Sequence, residues 1–333
     1  MRYLKGYCIL LVASMAACSK GSTTTELAGN WMSRAEFRGV ARSAAVAFVI
    51  DDKAYVGTGY DGEKRLQDFF VYTQADNQWK QIADFTGAAR TNAIGMAIKG
   101  KGYVGTGYDG TKKLKDFLEY DPATNAWTPR APFGGSARIG AVAFSVLDKG
   151  YVGTGNDGNY LIDMWKYDPD TDKWTEENTF NSGKRTNASA FVINDKAYVC
   201  MGTNNNSYVT DFYEFDPVTT KWKELRKIDN VSDETYDDNY NFKGSNAAAF
   251  AMNNKGYICT GLKGSGSLST AVWEYDPVND SWTQRRDFEG AARTDAVGFS
   301  IKNRGYVMLG SSSNLPFDNM FEFDPLATYN KND

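Results

Sequence analysis

The phrase Tyr-Val-Gly-Thr-Gly-Tyr-Asp-Gly stands at 55–62 and again, unchanged, at 103–110, and weaker versions follow four more times. Its leading tyrosine falls at Tyr55, Tyr103, Tyr151, Tyr198, Tyr257 and Tyr306, with spacings of 48, 48, 47, 59 and 49 residues. A unit of that length, present six times, folds as a solenoid, propeller or array in which each copy buries its apolar face only against its neighbours. The 333 residues therefore read as one repeat domain, not the two that length alone suggests.

From Gly29 onward the apolar stretches are short and no 3.6-residue periodicity is sustained, so the elements are strands joined by turns. The second copy shows the plan. A strand near 92–98 leads through a two-residue turn at Gly100-Lys101 to a strand over 102–107, and a loop built on Asp109-Gly110 follows. A third strand at 116–120 turns through 121–125 into a fourth strand holding Trp127. Four antiparallel strands per unit make one propeller blade. Small residues in the first strands, as in Ala44-Ala45-Val46-Ala47 and Ala247-Ala248-Ala249, suit the crowded axis. Trp79, Trp127, Trp174, Trp222 and Trp282 fill the wide rim as core residues. The sixth copy stops after its third strand, and Trp31 lies 48 residues before Trp79. The segment 29–34 is thus expected to give the last blade its fourth strand, closing the ring with no free edge.

Composition narrows the chemistry. The chain has 14% aromatic residues and 32 glycines, as many short strands and tight turns require. No basic stripe accompanies the net charge of −4, so nucleic acid is not an expected partner. Histidine is absent, which removes the usual neutral-pH base and the commonest metal ligand. Cys200 and Cys259 hold equivalent places in adjacent copies, too far apart for a bridge, and read as buried free thiols.

Residues 1–18 carry Arg2 and Lys5, an apolar run from Cys8 to Ala13, and then Met15-Ala16-Ala17-Cys18, the layout of an export signal. The small residues before Cys18 resemble a bacterial lipobox, with Met15 where leucine is usual. That resemblance implies a lipid on Cys18, a flexible tether over 19–28 and a folded body over 29–333. Loss of Arg2 and Lys5 leaves 35 cationic against 41 acidic residues, a net charge of −6. The implied place is the cell envelope, anchored to the outer membrane. No acidic run follows Cys18, so the periplasmic side is favoured over the surface.

The Tyr103–Gly107 run, the Tyr120-Asp121-Pro122 triplet and Trp127 resemble the kelch motif, and the six copies cover 29–325. The family usually has a Gly-Gly pair after the strand. Here it is Gly-Thr-Gly in copies one to three, then Cys-Met-Gly, Cys-Thr-Gly and Met-Leu-Gly. The resemblance implies an all-β, six-bladed kelch-type propeller with four antiparallel strands per blade, the last closed around Trp31. It implies no single activity, since such propellers include ubiquitin-ligase adaptors, copper-containing galactose oxidases and bacterial sialic-acid mutarotases. The copper chemistry needs histidine ligands that this chain lacks.

In that family the loops joining strands two and three, and strand four to the next strand one, share a face and hold the ligand. Two residue sets map there. The first is Arg42, Arg90, Arg138, Arg185 and Arg293, suited to gripping a carboxylate or acidic sugar, or else to tying loop carbonyls together. The second is Tyr60, Tyr108, Asn156, Thr203, Leu262 and Ser311. Asp68, Asp116, Asp163 and Asp211 read as loop caps.

Departures from a repeat point more sharply to function, because ligands rarely have sixfold symmetry. Trp222 to Trp282 spans 60 residues, and the surplus lies in 228–243, where Asp229, Asp233, Glu234, Asp237 and Asp238 alternate with Tyr236, Tyr240 and Phe242. Gly244 stands where the other copies have arginine. This loop is expected to lean over the arginine face, with Tyr236, Asp237 and Tyr240 against a sugar; a solvated excursion or a calcium loop are the alternatives, although its spacing is not that of an EF-hand. No other cofactor or metal is expected. With no nucleophile–base motif or phosphate loop, two functions stay open. One is a monomeric binding module for a glycan or an envelope protein. The other is a sugar mutarotase or epimerase using arginine for a carboxylate and Asp or Glu as acid and base.

Overall fold

The computed structural model describes residues 26–177, 179, 183–229 and 240–333. The leader with Cys18, most of the tether, and the acidic middle of the insert with Tyr236 and Asp237 lie outside the described residues.

Six four-stranded antiparallel sheets make up the ring. Blade 1 is typical, with strands Val46–Ile50, Lys53–Gly57, Phe69–Thr73 and Gln78–Gln81 running from axis to rim. In blade 6 the outermost strand is Asn30–Arg34, paired with Met320–Asp324 so that Trp31 faces Phe323, as the missing fourth strand required. The innermost hairpins turn one residue earlier than the sequence suggested: Ile98 pairs with Lys101, leaving Lys99-Gly100 as the turn. Both have positive φ, 50° and 73°, the mirror-image turn that matches strand twist.

First strands bury alternate residues against the next blade. Val46, Phe48 and Ile50 of blade 1 pack with Val104, Leu118, Tyr120 and Trp127 of blade 2. Gly102 makes this possible, since a Cβ there would lie 2.1 Å from the Phe48 ring. At the rim, Phe37, Phe85 and Phe133 meet Trp79, Trp127 and Trp174 edge to face with centroids 4.9–5.0 Å apart. Cys200 and Cys259 are free and fully buried, and burial pushes both thiols well above their usual range.

The five arginines are held inside the blades. Each has no solvent exposure. Arg42 donates to Val40 O at 3.0 Å, to Thr58 O at 3.0 Å and to both Asp68 carboxylate oxygens at 2.5 and 2.9 Å. Arg90 repeats this with Ala88 O, Thr106 O and Asp116, and Arg138 with Ser136 O, Thr154 O and Asp163. Arg185 takes Asp211 at 2.5 Å. The guanidinium also lies over the rim phenylalanine, 4.7–4.9 Å from the centroid in blades 1 to 3. One side chain thus ties the entry of strand one, the exit of strand two and the start of strand three. Asp68, Asp116, Asp163 and Asp211 are therefore ion-pair partners and not the loop caps expected of them. Caps are made elsewhere, by Asp61 and Asp109, whose side chains each accept two backbone N–H groups of their own loop.

Blade 6 has Asn319 in the aspartate position, 2.8 Å from Arg293 Nη1, and Nη2 of this arginine has no hydrogen-bond partner. Burial pushes this guanidinium down to about 10.

Two predictions follow from the clamp. Asp116→Ala strands the buried Arg90 cation and is expected to cost about 3 kcal/mol in urea unfolding; a cost below about 1 kcal/mol would mean that water reaches the guanidinium. Asn319→Asp supplies the missing carboxylate and is expected to stabilise by about 2 kcal/mol at pH 7. A base depressed in the folded state is cationic at a cost there. The gain should therefore shrink as pH rises through about 10, where Arg293 loses its proton.

Candidate functional site

The two-to-three and four-to-one loops form the face around the axis, and its centre is built by the backbone. Two residues after each clamp position the chain takes a positive φ: Ala44 52°, Asn92 52°, Gly140 61°, Asn187 56°, Asn246 56° and Asp295 55°. Left-handed geometry favours Gly, Asn and Asp, and five of the six comply. The conformation turns each N–H toward the preceding blade. Ala44 N–H donates to Asp295 O, Asn92 to Ala44, Gly140 to Asn92, Asn187 to Gly140, Asn246 to Asn187 and Asp295 to Asn246, at 2.8–3.4 Å. The six bonds close a collar around the axis.

Above the collar lies a funnel of about 400 Å³. Its floor carries the side chains of Asn92, Asn187, Asn246 and Asp295, and its wall those of Tyr60, Arg65 and Tyr108. Below the collar, a narrow channel is lined mainly by alanines of the first strands. The volume and the few convergent polar groups are those of a small-ligand site.

Arg65 is the distinctive wall residue. Its guanidinium carbon sits 5.6 Å from the Tyr60 ring centroid and 4.8 Å from that of Tyr108. Its Nε is buried without a hydrogen-bond partner, and no ion pair engages the guanidinium among the described residues. The two tyrosines are fixed by their own loops, donating to Gly62 O and Gly110 O at 2.8 Å each. Arg65 thus combines a cation with a set geometry and uncommitted donors. The clamp arginines of blades 1 to 3 have spent theirs.

Asp295 is the one acidic side chain lining the funnel among the described residues. Burial raises its pKa, opposed by the hydrogen bond from Asn246 Nδ2 at 2.5 Å. A carboxyl held up by its surroundings inside a pocket is equipped for proton transfer.

The sequence-level set divides accordingly. Tyr60 and Tyr108 line the funnel. Asn156 instead turns into its own loop, where it accepts from Gly158 N at 3.0 Å. Arg42, Arg90, Arg138, Arg185 and Arg293 have no surface on any ligand pocket, being wholly buried in the clamps. Tyr240 is buried as well, edge-on to Trp273 at 6.1 Å, and so belongs to the blade 5 core and not to a lid. Sequence reasoning missed Arg65, Asn92, Asn187, Asn246 and Asp295. A signal was present: the clamp position is followed after one residue by Ala, Asn, Gly, Asn, Asn and Asp, and then always by alanine.

The closed ring of four-stranded blades defines a six-bladed β-propeller with its pocket on the loop face. Comparison with known proteins agrees. The Kelch motif family description matches residues 184–227, a copy whose glycine pattern has degraded. The solved structure of YjhT superposes with a TM-score of 0.72 over 86% of this chain and 96% of that one, at 18% identity, a likeness of fold. No curated protein matches the sequence. The chain folds as a six-bladed β-propeller, and one of its copies matches the Kelch motif.

A carboxyl whose folded pKa is raised weakens the fold in its charged form. Its contribution is most favourable at low pH and declines as pH rises through the folded value. Asp295→Asn is therefore expected to raise the melting temperature at pH 7, with the difference from wild type vanishing toward about pH 3. Thermal unfolding across pH reads this directly, and a lower melting point for Asp295→Asn at pH 7 would contradict it.

Proposed function

We propose that this propeller is a binding module for an acidic glycan, with the sugar seated in the funnel and its carboxylate on Arg65. The observation that carries this reading is the uncommitted guanidinium held between Tyr60 and Tyr108. Guanidinium pairs bidentately with carboxylate, and a preset cation loses little entropy on pairing. The floor amides of Asn92, Asn187 and Asn246 supply both donors and acceptors, as sugar hydroxyls require. The tyrosine rings offer flat apolar surface for the C–H face of a pyranose.

The same reading gives the envelope assignment a geometry. The described chain enters the ring at Asn30, opposite Asp324, at the end of the blade away from the funnel. A tether over 19–28 from a lipid on Cys18 would hold that end toward the membrane and turn the funnel outward. The pocket is complete within one chain, so a monomer suffices.

A second reading rests on Asp295. Its raised carboxyl, at the floor of the same pocket, supports a sugar mutarotase or epimerase in which Asp295 moves the proton and Arg65 orients the substrate. Saturation-exchange NMR of acidic sugars with catalytic amounts of protein decides between the two. Faster anomer exchange that is lost in Asp295→Asn favours the enzyme, and binding with buffer-rate exchange favours the module.

Arg65→Ala is the test of the site itself. It should weaken an acidic monosaccharide such as sialic acid or glucuronic acid about tenfold or more by calorimetry, with the melting temperature unchanged. Unaltered affinity in Arg65→Ala, or equal affinity for neutral and acidic sugars, would sink the proposal.

A further inference from the structure

Blade 5 is built differently from the other five. Its clamp arginine is Gly244, and the residue before its third strand, aspartate or asparagine elsewhere, is Ala271. Both halves of the ion pair are gone. Gly244 cannot be otherwise in this backbone: the segment Gly244–Ser245 pairs with Leu262–Lys263, and a Cβ at 244 would stand 1.9 Å from Leu262 O. The backbone link to the preceding blade survives, from Gly202 N–H to Gly244 O at 2.8 Å.

Where the clamp would lie there is a cavity of about 200 Å³, walled by Met201, Phe242, Ile258, Thr260, Ala271 and Trp273. It opens past Leu262 and the exposed Lys263. Phe242 stacks on Trp273 at 4.8 Å and 18°, making one flat apolar wall. The indole N–H of Trp273 is buried and has no hydrogen-bond partner. Blade 3 shows what is missing, because Trp165 occupies the same strand position and donates to Asp163 Oδ2 at 2.9 Å. With alanine at 271, the equivalent acceptor does not exist. The Thr260 hydroxyl is also unpaired, but so are Thr58, Thr106 and Thr154 in intact blades, so among the groups lining the cavity the Trp273 indole is the one peculiar to blade 5.

We infer that this cavity is a second ligand site, separate from the funnel, for a small neutral molecule with one aromatic ring and one hydrogen-bond acceptor. Three observations select that class. The volume exceeds the roughly 150 Å³ that admits benzene in an apolar protein cavity. The walls are mainly apolar, with Asn241, Thr260 and Ser269 as the uncharged polar part of the lining, and the carboxylate that would hold a cation has been replaced by Ala271. Beyond the Thr260 hydroxyl, which intact blades also leave unpaired, the unsatisfied buried group in the wall is a donor, which calls for an acceptor on the ligand. The ring lies along Phe242 and Trp273, and the ligand oxygen takes the indole N–H.

The test uses phenol as probe and toluene as the same ring without the acceptor, with the folded protein observed through its Trp indole N–H resonances. Phenol should shift the Trp273 resonance saturably and bind about tenfold more tightly than toluene. Ala271→Leu fills the cavity and should abolish binding of both probes while leaving acidic-sugar binding in the funnel intact. Trp273→Phe should equalise phenol and toluene. Should Ala271→Leu fail to fold, Ala271→Asp restores the acceptor found in blade 3 and should likewise exclude phenol. An unmoved Trp273 resonance at 10 mM phenol, or phenol binding that survives Ala271→Leu or Ala271→Asp, overturns the inference.

Discussion

The buried arginine–aspartate clamp is the interaction on which the rest of the propeller depends. A blade needs its first, second and third strands aligned at the loop end, where no ladder hydrogen bond reaches across two loops. One planar cation with five donors does this, binding two carbonyls and a bidentate carboxylate from a single point. Full burial of the guanidinium is tolerable because the carboxylate remains partly open to water, so only one of the two charges is fully desolvated. The same arginine joins neighbouring blades, since its backbone carbonyl accepts from the glycine of the blade before, as Gly59 N–H does with Arg90 O at 2.8 Å.

The clamp also fixes what the pocket is made of. In the blades that keep the arginine it holds the chain where, two residues on, a left-handed turn must point an N–H across the blade boundary to close the collar, and blade 5 makes the same turn at Asn246 after Gly244. That backbone demand selects asparagine, aspartate or glycine, and their side chains fall on the funnel floor. A polar, amide-rich floor is thus a by-product of ring closure, and side chains can be varied there while the backbone bonds of the collar stay in place. Asp295 in place of asparagine is such a tuning. Arg65 arises differently, from a loop with no sixfold constraint, where the copies read Arg65, Lys113 and Tyr160 at bridged positions.

Where blades depart from the repeat, the departures are coupled. Gly244 and Ala271 lose the pair together, which avoids leaving one charge buried alone. Phe242 then takes the rim place against Trp282 that Phe37 holds against Trp79, at 4.8 Å. Blade 6 keeps its arginine without the carboxylate and covers the cation with aromatic rings instead, Phe317 at 4.2 Å and Phe288 at 4.9 Å.

By itself the sequence determined the six units, the four strands in each, the rim tryptophans and the closure through Trp31, because period-2 burial and a fixed repeat length leave one way to hide those side chains. It also marked Tyr60 and Tyr108, since the loop after Gly-Thr-Gly is fixed by the motif. It could not rank the arginines. Whether a guanidinium faces solvent or a carboxylate 26 residues away depends on where the third strand begins in space, and that is a tertiary fact. Arg65 gained its setting only when blade 1 and blade 2 placed Tyr60 and Tyr108 beside it. The carboxyl of Asp295 rose only when ring closure buried it next to Asn246, 49 residues earlier in the chain. Local pattern decided the blades; the meeting of loops from different blades decided the site.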